Sequence, residues 1–290
     1  MAFQLAQLPE VQRISPLVIR ILGGNPGKFT LQGTNTYIVG EGPHRLLIDT
    51  GEGRPSWIKA VRMVLHKEKA AVVAAIITHW HHDHVGGVSQ LREAYPNVTV
   101  YKHLPEDDQL DIKDGQKFSV KGATLRAVFS PGHTRDHMTL ILEEEDAMFT
   151  GDNVLGHGTA IFENLSEYVA SLEKMRHMFS GRAYPGHGPV VEDGKIKVVE
   201  YIRHRQQREN QVIELLKSSK SAFTSPDCEG GAKDWASTDI VRELYKEVPE
   251  SLHGPANGGI IQVLTKLENE GKVIRDSSSQ RWTAKDRMTL

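Results

Sequence analysis

Apolar positions in the first half of the chain fall in short runs punctuated by turn residues, which is the pattern of strands. Leu17 to Leu22 reads as an opening strand, closed by Gly23-Gly24-Asn25-Pro26-Gly27. Thr36 to Val39 and Arg45 to Ile48 read as two strands joined across Gly40-Glu41-Gly42-Pro43. The spacing then changes. Ile58, Val61, Met63, Val64 and Leu65 recur at roughly helical intervals, predicting a helix over Trp57 to Lys67 with Ser56 as its N-cap. The apolar run Ala71 to Thr78 predicts a buried strand, and Gly86 to Tyr95 a second helix stopped by Pro96. Strand, helix, strand alternation of this kind argues for an α/β layered fold.

Val98 to Tyr101 is another short strand, and Lys117 to Val120 with Thr124 to Phe129 form a hairpin. A further hairpin joins Met138 to Leu142 with Ala147 to Thr150 across the acidic turn Glu143 to Asp146, and Glu167 to Phe179 is an amphipathic helix. From Lys195 the character changes. Lys195 to Lys217 is long, helical and highly charged, and Ser218 to Ser237 is small and polar, a loop or insertion. Ser237 to Tyr245, Asn257 to Glu270 and Lys272 to Thr283 then read helix, helix, hairpin, with the turn Asp276 to Gln280 shaping a wing. The expected domains are therefore residues 1–194 and a winged-helix-like unit over 195–290.

Composition narrows the class without naming a chemistry. Hydrophobic residues make up 39% and charged residues 25%, ordinary for a soluble globular protein. No apolar run approaches the ~20 residues that span a bilayer, so no membrane is expected. Met1 to Ile21 lacks the basic start and apolar core of a signal peptide, and Arg13 and Arg20 beside Glu10 match a mitochondrial presequence only weakly. The single cysteine, Cys228, excludes an intramolecular disulfide and a thiolate-rich metal cage, which points to a reducing compartment, the cytoplasm. A net charge of −2 gathers no nucleic acid.

The chemistry is concentrated in His79-Trp80-His81-His82-Asp83-His84, which follows the buried strand directly. Imidazole nitrogen and carboxylate oxygen suit zinc and its neighbours. On a strand, residues two apart share a side, so His79 and His81 are expected to reach one ion. Asp83 and His84, past the strand end, face a second. Such a site needs further ligands, and the chain offers them at strand ends. Ser130-Pro131-Gly132-His133-Thr134 puts His133 on a tight turn; a lone turn histidine is ordinarily just solvated, but the incomplete site reverses that expectation. Asp152, beside Gly151, is a candidate carboxylate to bridge two ions. Pro185-Gly186-His187-Gly188-Pro189 repeats the proline–glycine–histidine turn. Asp49 either caps a turn or orients a metal-bound histidine.

In that order and spacing, His79-x-His81-x-Asp83-His84, His133, Asp152 and His187 resemble the metallo-β-lactamase superfamily over roughly residues 15–190. The resemblance implies a four-layer αβ/βα sandwich with a dinuclear zinc site on one edge. His79, His81 and His133 would hold the first zinc, and Asp83, His84 and His187 the second. Asp152 and a hydroxide would bridge them, with Asp83 as proton donor and acceptor. Manganese or iron in place of Zn²⁺ is left open. His82 stands where a small residue or proline is expected and is read as peripheral.

Leu22 to Gly27, Thr30 to Tyr37 and the winged-helix-like unit are similar to the β-lactamase-like protein 2 branch, whose animal members cleave single-stranded RNA. Thr50 to Trp57, Glu143 to Thr159 and Tyr201 to Arg208 resemble fungal metallo-β-lactamase-type thioesterases that serve non-reducing polyketide synthases. That likeness runs over nearly the whole chain. It implies hydrolytic release of an aromatic polyketide from an acyl carrier protein, with the carrier and the polyketide thioester as partners. The endoribonuclease is the alternative. Charge weighs against it: from residue 196 onward there are 15 Lys+Arg against 14 Asp+Glu, without aromatic–basic interleaving. Such a unit suits a pocket wall or a homodimer surface better than a nucleic-acid reader. The basic run Arg203 to Arg208 is either a solvated face or a dock for carrier protein or phosphate. A non-catalytic binding protein would lack a ligand, and none is lacking. A glyoxalase-type thioesterase is disfavoured by the different C-terminal unit of that family.

Overall fold

Alternation of buried side chains along the early strands decides the layering. A computed structural model describes residues 5–106, 108–218, 234–247, 249–250 and 253–285. The elements run β1 (Val11–Arg13), β2 (Val18–Leu22), β3 (Asn35–Val39), β4 (His44–Ile48), α1 (Pro55–Glu68), β5 (Ala71–Ile77), α2 (His82–Val85), α3 (Val88–Ala94) and β6 (Thr99–Lys102). The six strands form one sheet in chain order, antiparallel up to β4 and parallel from β4 through β6. A parallel pair cannot be closed by a tight turn, and the crossovers are α1 and the α2–α3 segment. On β4 and β5, Leu47, Ala75 and Ile77 turn to the face packed by Trp57, Val61 and Leu65 of α1. Their neighbours Leu46, Ile48, Ala74 and Ile76 turn the other way, into a core shared with a second sheet. Both faces are buried, which is why β5 reads as a continuous apolar run.

The second sheet is built from β7 (Lys117–Val120), β8 (Ala123–Phe129), β9 (Met138–Leu142), β10 (Ala147–Gly151) and, after α4 (Leu165–Met175), β11 (Ala183–Pro185). Its order is β11-β10-β9-β8-β7, antiparallel except for the β10–β11 pair that α4 connects. Leu125, Ala127, Leu140, Phe149 and Tyr184 supply its half of the shared core. Tyr184 and Phe149 rings lie 4.8 Å apart, and Tyr37 from the first sheet meets Phe149 edge-on at 5.0 Å. α4 is tied to this sheet's loops by Ser171 Oγ donating to the Pro131 carbonyl and Tyr168 hydroxyl to the Asn153 carbonyl. The architecture is an α/β sandwich in which the two sheets face each other across one core.

The chain divides into two compact units, residues 1–201 and 202–290, inside α5 (Gly194–Lys217). The second unit contains α6 (Ser237–Leu244), α7 (His253–Asn269) and the hairpin β12 (Val273–Arg275) and β13 (Trp282–Ala284). Ile240, Val241, Ile260, Leu264, Leu267 and Trp282 are buried in it. Part of its basic helix face is engaged internally: the Arg208 guanidinium stacks over Tyr245 at 4.4 Å, and Glu209 takes Lys266 at 2.8 Å. No helix among the described residues is long and apolar enough to cross a membrane.

Three expectations change. Ser56 is not the cap of α1: the helix begins at Pro55 behind Arg54, because a proline at the first position has no N–H left to satisfy. β5 ends at Ile77, so His79 and His81 leave the strand rather than alternate on it. The second helix begins at His82, earlier than Gly86, and breaks at Gly86-Gly87. Of the expected loop Ser218 to Ser237, residues 219–233, Cys228 among them, lie outside the described residues.

Trp57 is fully buried and donates from Nε1 to Thr36 Oγ1 at 2.9 Å, pinning α1 to β3. Trp57→Ala is expected to cost about 3–5 kcal/mol of unfolding free energy, read from a urea titration; a loss within the error of the titration would contradict this packing.

Candidate metal centre

Five strand ends from two sheets converge on one edge. Asp49 follows β4, the His79–His84 segment follows β5, His133 follows β8, Asp152 follows β10 and His187 follows β11. Backbone bonds lock the sheets together here: Asn35 N donates to the Gly186 carbonyl at 2.7 Å, and Met138 N to the Thr78 carbonyl at 2.8 Å. Close approach also fixes residue type at Gly132, whose φ is +126° and where a Cβ would lie 2.2 Å from the Tyr168 nitrogen. That glycine lets the loop carrying His133 lie against α4.

All seven candidate residues from the sequence come together, in two groups: His79, His81, His133 with Asp152, and Asp83, His84 with His187. In the first, His79 Nε2 lies 3.0 Å from His81 Nδ1, and His133 Nε2 lies 3.3 and 3.1 Å from those two atoms. In the second, the Asp83 Oδ2, His84 Nε2 and His187 Nε2 separations are 3.2, 3.3 and 3.4 Å. A tetrahedral ion with ligand bonds of ~2.0–2.1 Å has ligand atoms about 3.3 Å apart. Both groups match that edge length. Asp152 reaches both: Oδ2 is 3.7 Å from His133 Nε2 and 3.2 Å from His187 Nε2, and Oδ1 is 3.4 Å from His84 Nε2. The buried Asp152 Oδ1 accepts no hydrogen bond, and coordination to a cation would satisfy it instead.

The remaining ring nitrogens are assigned by their partners. His84 Nδ1 faces Asp49 Oδ2 at 2.7 Å and His133 Nδ1 faces the Ile161 carbonyl at 2.8 Å. Both partners only accept, so Nδ1 carries a proton and it is Nε2 that faces the cluster. Asp49 also accepts from Thr78 N and Thr78 Oγ1, at 2.8 and 2.9 Å, and is held at a φ of 58°. Of the two roles open to it, it fills the second, orienting a histidine. Thr34 Oγ1 donates to Asp83 Oδ2 at 3.0 Å. His82 is exposed and stands outside the cluster.

One residue absent from the sequence-based set lies directly beneath the cluster. His137 is fully buried, and its Nε2 accepts the Asp152 backbone N–H at 3.1 Å. Its Nδ1 therefore carries the proton, toward Ser130 Oγ at 3.1 Å. Nothing in its spacing from His133 marks it; only the fold brings it to Asp152.

Electrostatics separates the two groups. Burial, then the neighbouring imidazoles, holds His79 and His137 well below the ordinary histidine range. Burial, then His133, lowers His81 to about 4. These rings are neutral donors of lone pairs. Burial opposes charge on His84 and His187 too, but Asp152 with Asp49 raises the first well above its usual value, and Asp152 with Asp83 raises the second to about 9. Burial likewise raises Asp83, yet the bonds from His187 and His84 win and hold it below the usual carboxylate range. The carboxylates thus collect positive charge around themselves, as protons when no cation is present.

A cavity of about 590 Å³ opens onto the cluster at His81, Asp83, His133, Asp152 and His187. Two loops wall it with Phe29, Leu31, Leu155, Ile161 and Phe162, and Lys28 is the single lysine or arginine in its lining. Asp49→Ala is expected to lower the stability of the chelator-treated protein at neutral pH by about 3–5 kcal/mol, because it strands a buried charged His84; a urea titration showing no loss would dismiss the pair as an anchor.

The geometry agrees with what the chain is similar to. Residues 29–111 match the metallo-beta-lactamase superfamily, and residues 236–282 the beta-lactamase associated winged helix domain. The chain is 44% identical over 286 residues to the lactamase-like protein adaB of Aspergillus niger, covering 97% of this chain and 90% of that one. It is 45% identical over 273 residues to an atrochrysone carboxyl ACP thioesterase of Aspergillus chevalieri, covering 93% and 87%. A beta-lactamase domain protein from Burkholderia ambifaria superposes with a TM-score of 0.79 at 16% identity over 98% of this chain and 96% of that one, a likeness of fold alone. A His/Asp cluster suited to metal on this fold, and relatives this similar over nearly the full chain, place the protein in the metallo-β-lactamase superfamily, with its associated winged-helix domain.

Proposed function

We propose that the protein hydrolyses the thioester that holds an aromatic polyketide on the acyl carrier protein of a polyketide synthase lacking its own thioesterase. The observation that carries this reading is the cavity: an apolar wall of Phe29, Leu31, Ile161 and Phe162 facing a metal-suited cluster, with one lysine at its rim. Such a wall accepts a flat, largely apolar acyl group, whereas a strand of RNA requires a basic, stacking groove. The similarity to a protein named as an atrochrysone carboxyl ACP thioesterase supports the same substrate class.

His79, His81 and His133 would hold one divalent ion and Asp83, His84 and His187 a second, with Asp152 between them; an imidazole and carboxylate set favours zinc. When bound, such ions supply a Lewis acid for the thioester oxygen and make water nucleophilic near neutral pH. In the hydrolysis, water oxygen adds to the carbonyl carbon, the carbon–sulfur bond breaks, and a carboxylic acid and the carrier thiol leave. Asp83 lines the cavity and is steadied by Thr34. It takes the proton from the water and returns it to the departing sulfur. Asp49 and His137 keep His84 and Asp152 in position. The apolar loop wall excludes bulk water from the acyl group and orients it.

The test is release of an acyl chain from purified acyl carrier protein, followed by intact-protein mass spectrometry with and without chelator. Chelator-sensitive loss of the acyl mass is expected. Retention of that mass on the carrier protein in the presence of metal-loaded enzyme would move the assignment to single-stranded RNA cleavage. His79→Ala and Asp152→Ala are each expected to lower bound metal and to reduce turnover by more than about a hundredfold. A fully active, metal-replete variant would sink the mechanism.

A further inference from the structure

A second cavity, of about 960 Å³, lies beside the first and is not used by the hydrolytic machinery. The two share one lining residue, and neighbours of His81 and His133 bring the second close to the metal-suited cluster. Glu163 lines both, and its backbone N–H is anchored to the Gly132 carbonyl at 2.8 Å. Trp80 of the second cavity packs edge-on against the ring of His81 of the first, at 4.6 Å. Arg135 and Asp136 line the second cavity within three residues of His133 in the first.

The linings differ in kind. The floor of the second cavity is apolar, from Leu104, Pro105 and a Trp80 that is 47% exposed. Its rim carries donors and acceptors together: Arg135 has no ion-pair partner among the described residues, and Glu106 and Glu163 are exposed carboxylates. The Lys102 charge at its base is already spent on Asp136, with Nζ to Oδ2 at 2.7 Å and both side chains buried. The cavity is therefore no anion trap, since its net formal charge is not positive.

We infer that this second cavity takes the pantetheine arm of the thioester, while the first takes the acyl chain. The inference rests on the thioesterase reading. A thioester carbonyl poised at the cluster has two halves that must leave in different directions; the first cavity opens onto the cluster, and the second adjoins it through Glu163 and Trp80. The arm is a neutral chain of secondary amides with a gem-dimethyl group. Amide N–H groups match Glu106 and Glu163, amide carbonyls match Arg135 and the Trp80 indole N–H, and the methyl groups match the Trp80 and Pro105 surface. A polycyclic acyl group has no use for that polar rim and matches the Phe29–Ile161 wall instead.

The experiment compares two thioesters of one acyl group, the pantetheine thioester and the truncated N-acetylcysteamine thioester, on the metal-loaded full-length protein. In Trp80→Ala the ratio of kcat/KM for the pantetheine substrate over the truncated one is expected to fall about tenfold, carried by KM. Arg135→Ala, at an exposed position, reads the polar rim in the same way. Damage to the cluster or to folding lowers both substrates together and leaves the ratio unchanged. An unchanged ratio in the Trp80 variant overturns the assignment. Wild-type protein that carries metal and hydrolyses neither thioester removes the thioesterase reading, and this inference with it.

Discussion

Three imidazole nitrogens held 3.0 to 3.3 Å apart, with the Asp152 carboxylate against them, are the constraint on which the rest of the first unit depends. Lone pairs that close repel, and a single ring N–H shared among three nitrogens that face one point offsets that repulsion only in part. The surrounding chain over-determines the cluster. Asp49 fixes His84 from behind, the Ile161 carbonyl fixes His133, and His137 fixes the backbone at Asp152. Asp49 and His137 are buried and stand beside strand ends, whereas Ile161 lends its carbonyl from an exposed loop.

That dependence explains the topology. β8, β10 and β11 all run toward the edge where β4 and β5 also end, so their following loops meet without long excursions. A site drawn from five strand ends needs its two sheets held in register. The Asn35–Gly186 and Met138–Thr78 backbone bonds and the Tyr37–Phe149–Tyr184 ring cluster do this together. Packing in the core and precision at the edge are one property.

The candidate metal-binding residues were legible because their signal is chemical: histidine and aspartate at close spacing, then proline–glycine–histidine turns and an aspartate after a strand. The layered fold was legible from β5, whose unbroken apolar run requires cover on both faces. What the sequence hid was set by distance along the chain. Thr34 and His137 act on residues 49 and 15 positions away, and no local pattern announces either. Asp49 looked like a turn residue until Thr78 and His84 closed on it. The three-residue strands Val11–Arg13 and Ala183–Pro185 are too short for periodicity to show, and the second contains a proline. His79 and His81 were expected to share a strand face. They share a point instead, because the strand stops at Ile77 and the turn into α2 gathers both rings.

Specificity is written in a different part of the chain from chemistry. The cluster sits on strand ends whose geometry the cores enforce, while the cavity walls belong to the loops around Phe29 and Ile161, whose tips are 65% and 62% exposed. Substitutions there leave the cores untouched and change what is admitted. A superfamily built this way keeps one hydrolytic edge and changes its substrate by rewriting the loops. The apolar character of these two, against a C-terminal unit nearly balanced in charge, is what separates a thioester reading from a nucleic-acid one on the same ligands.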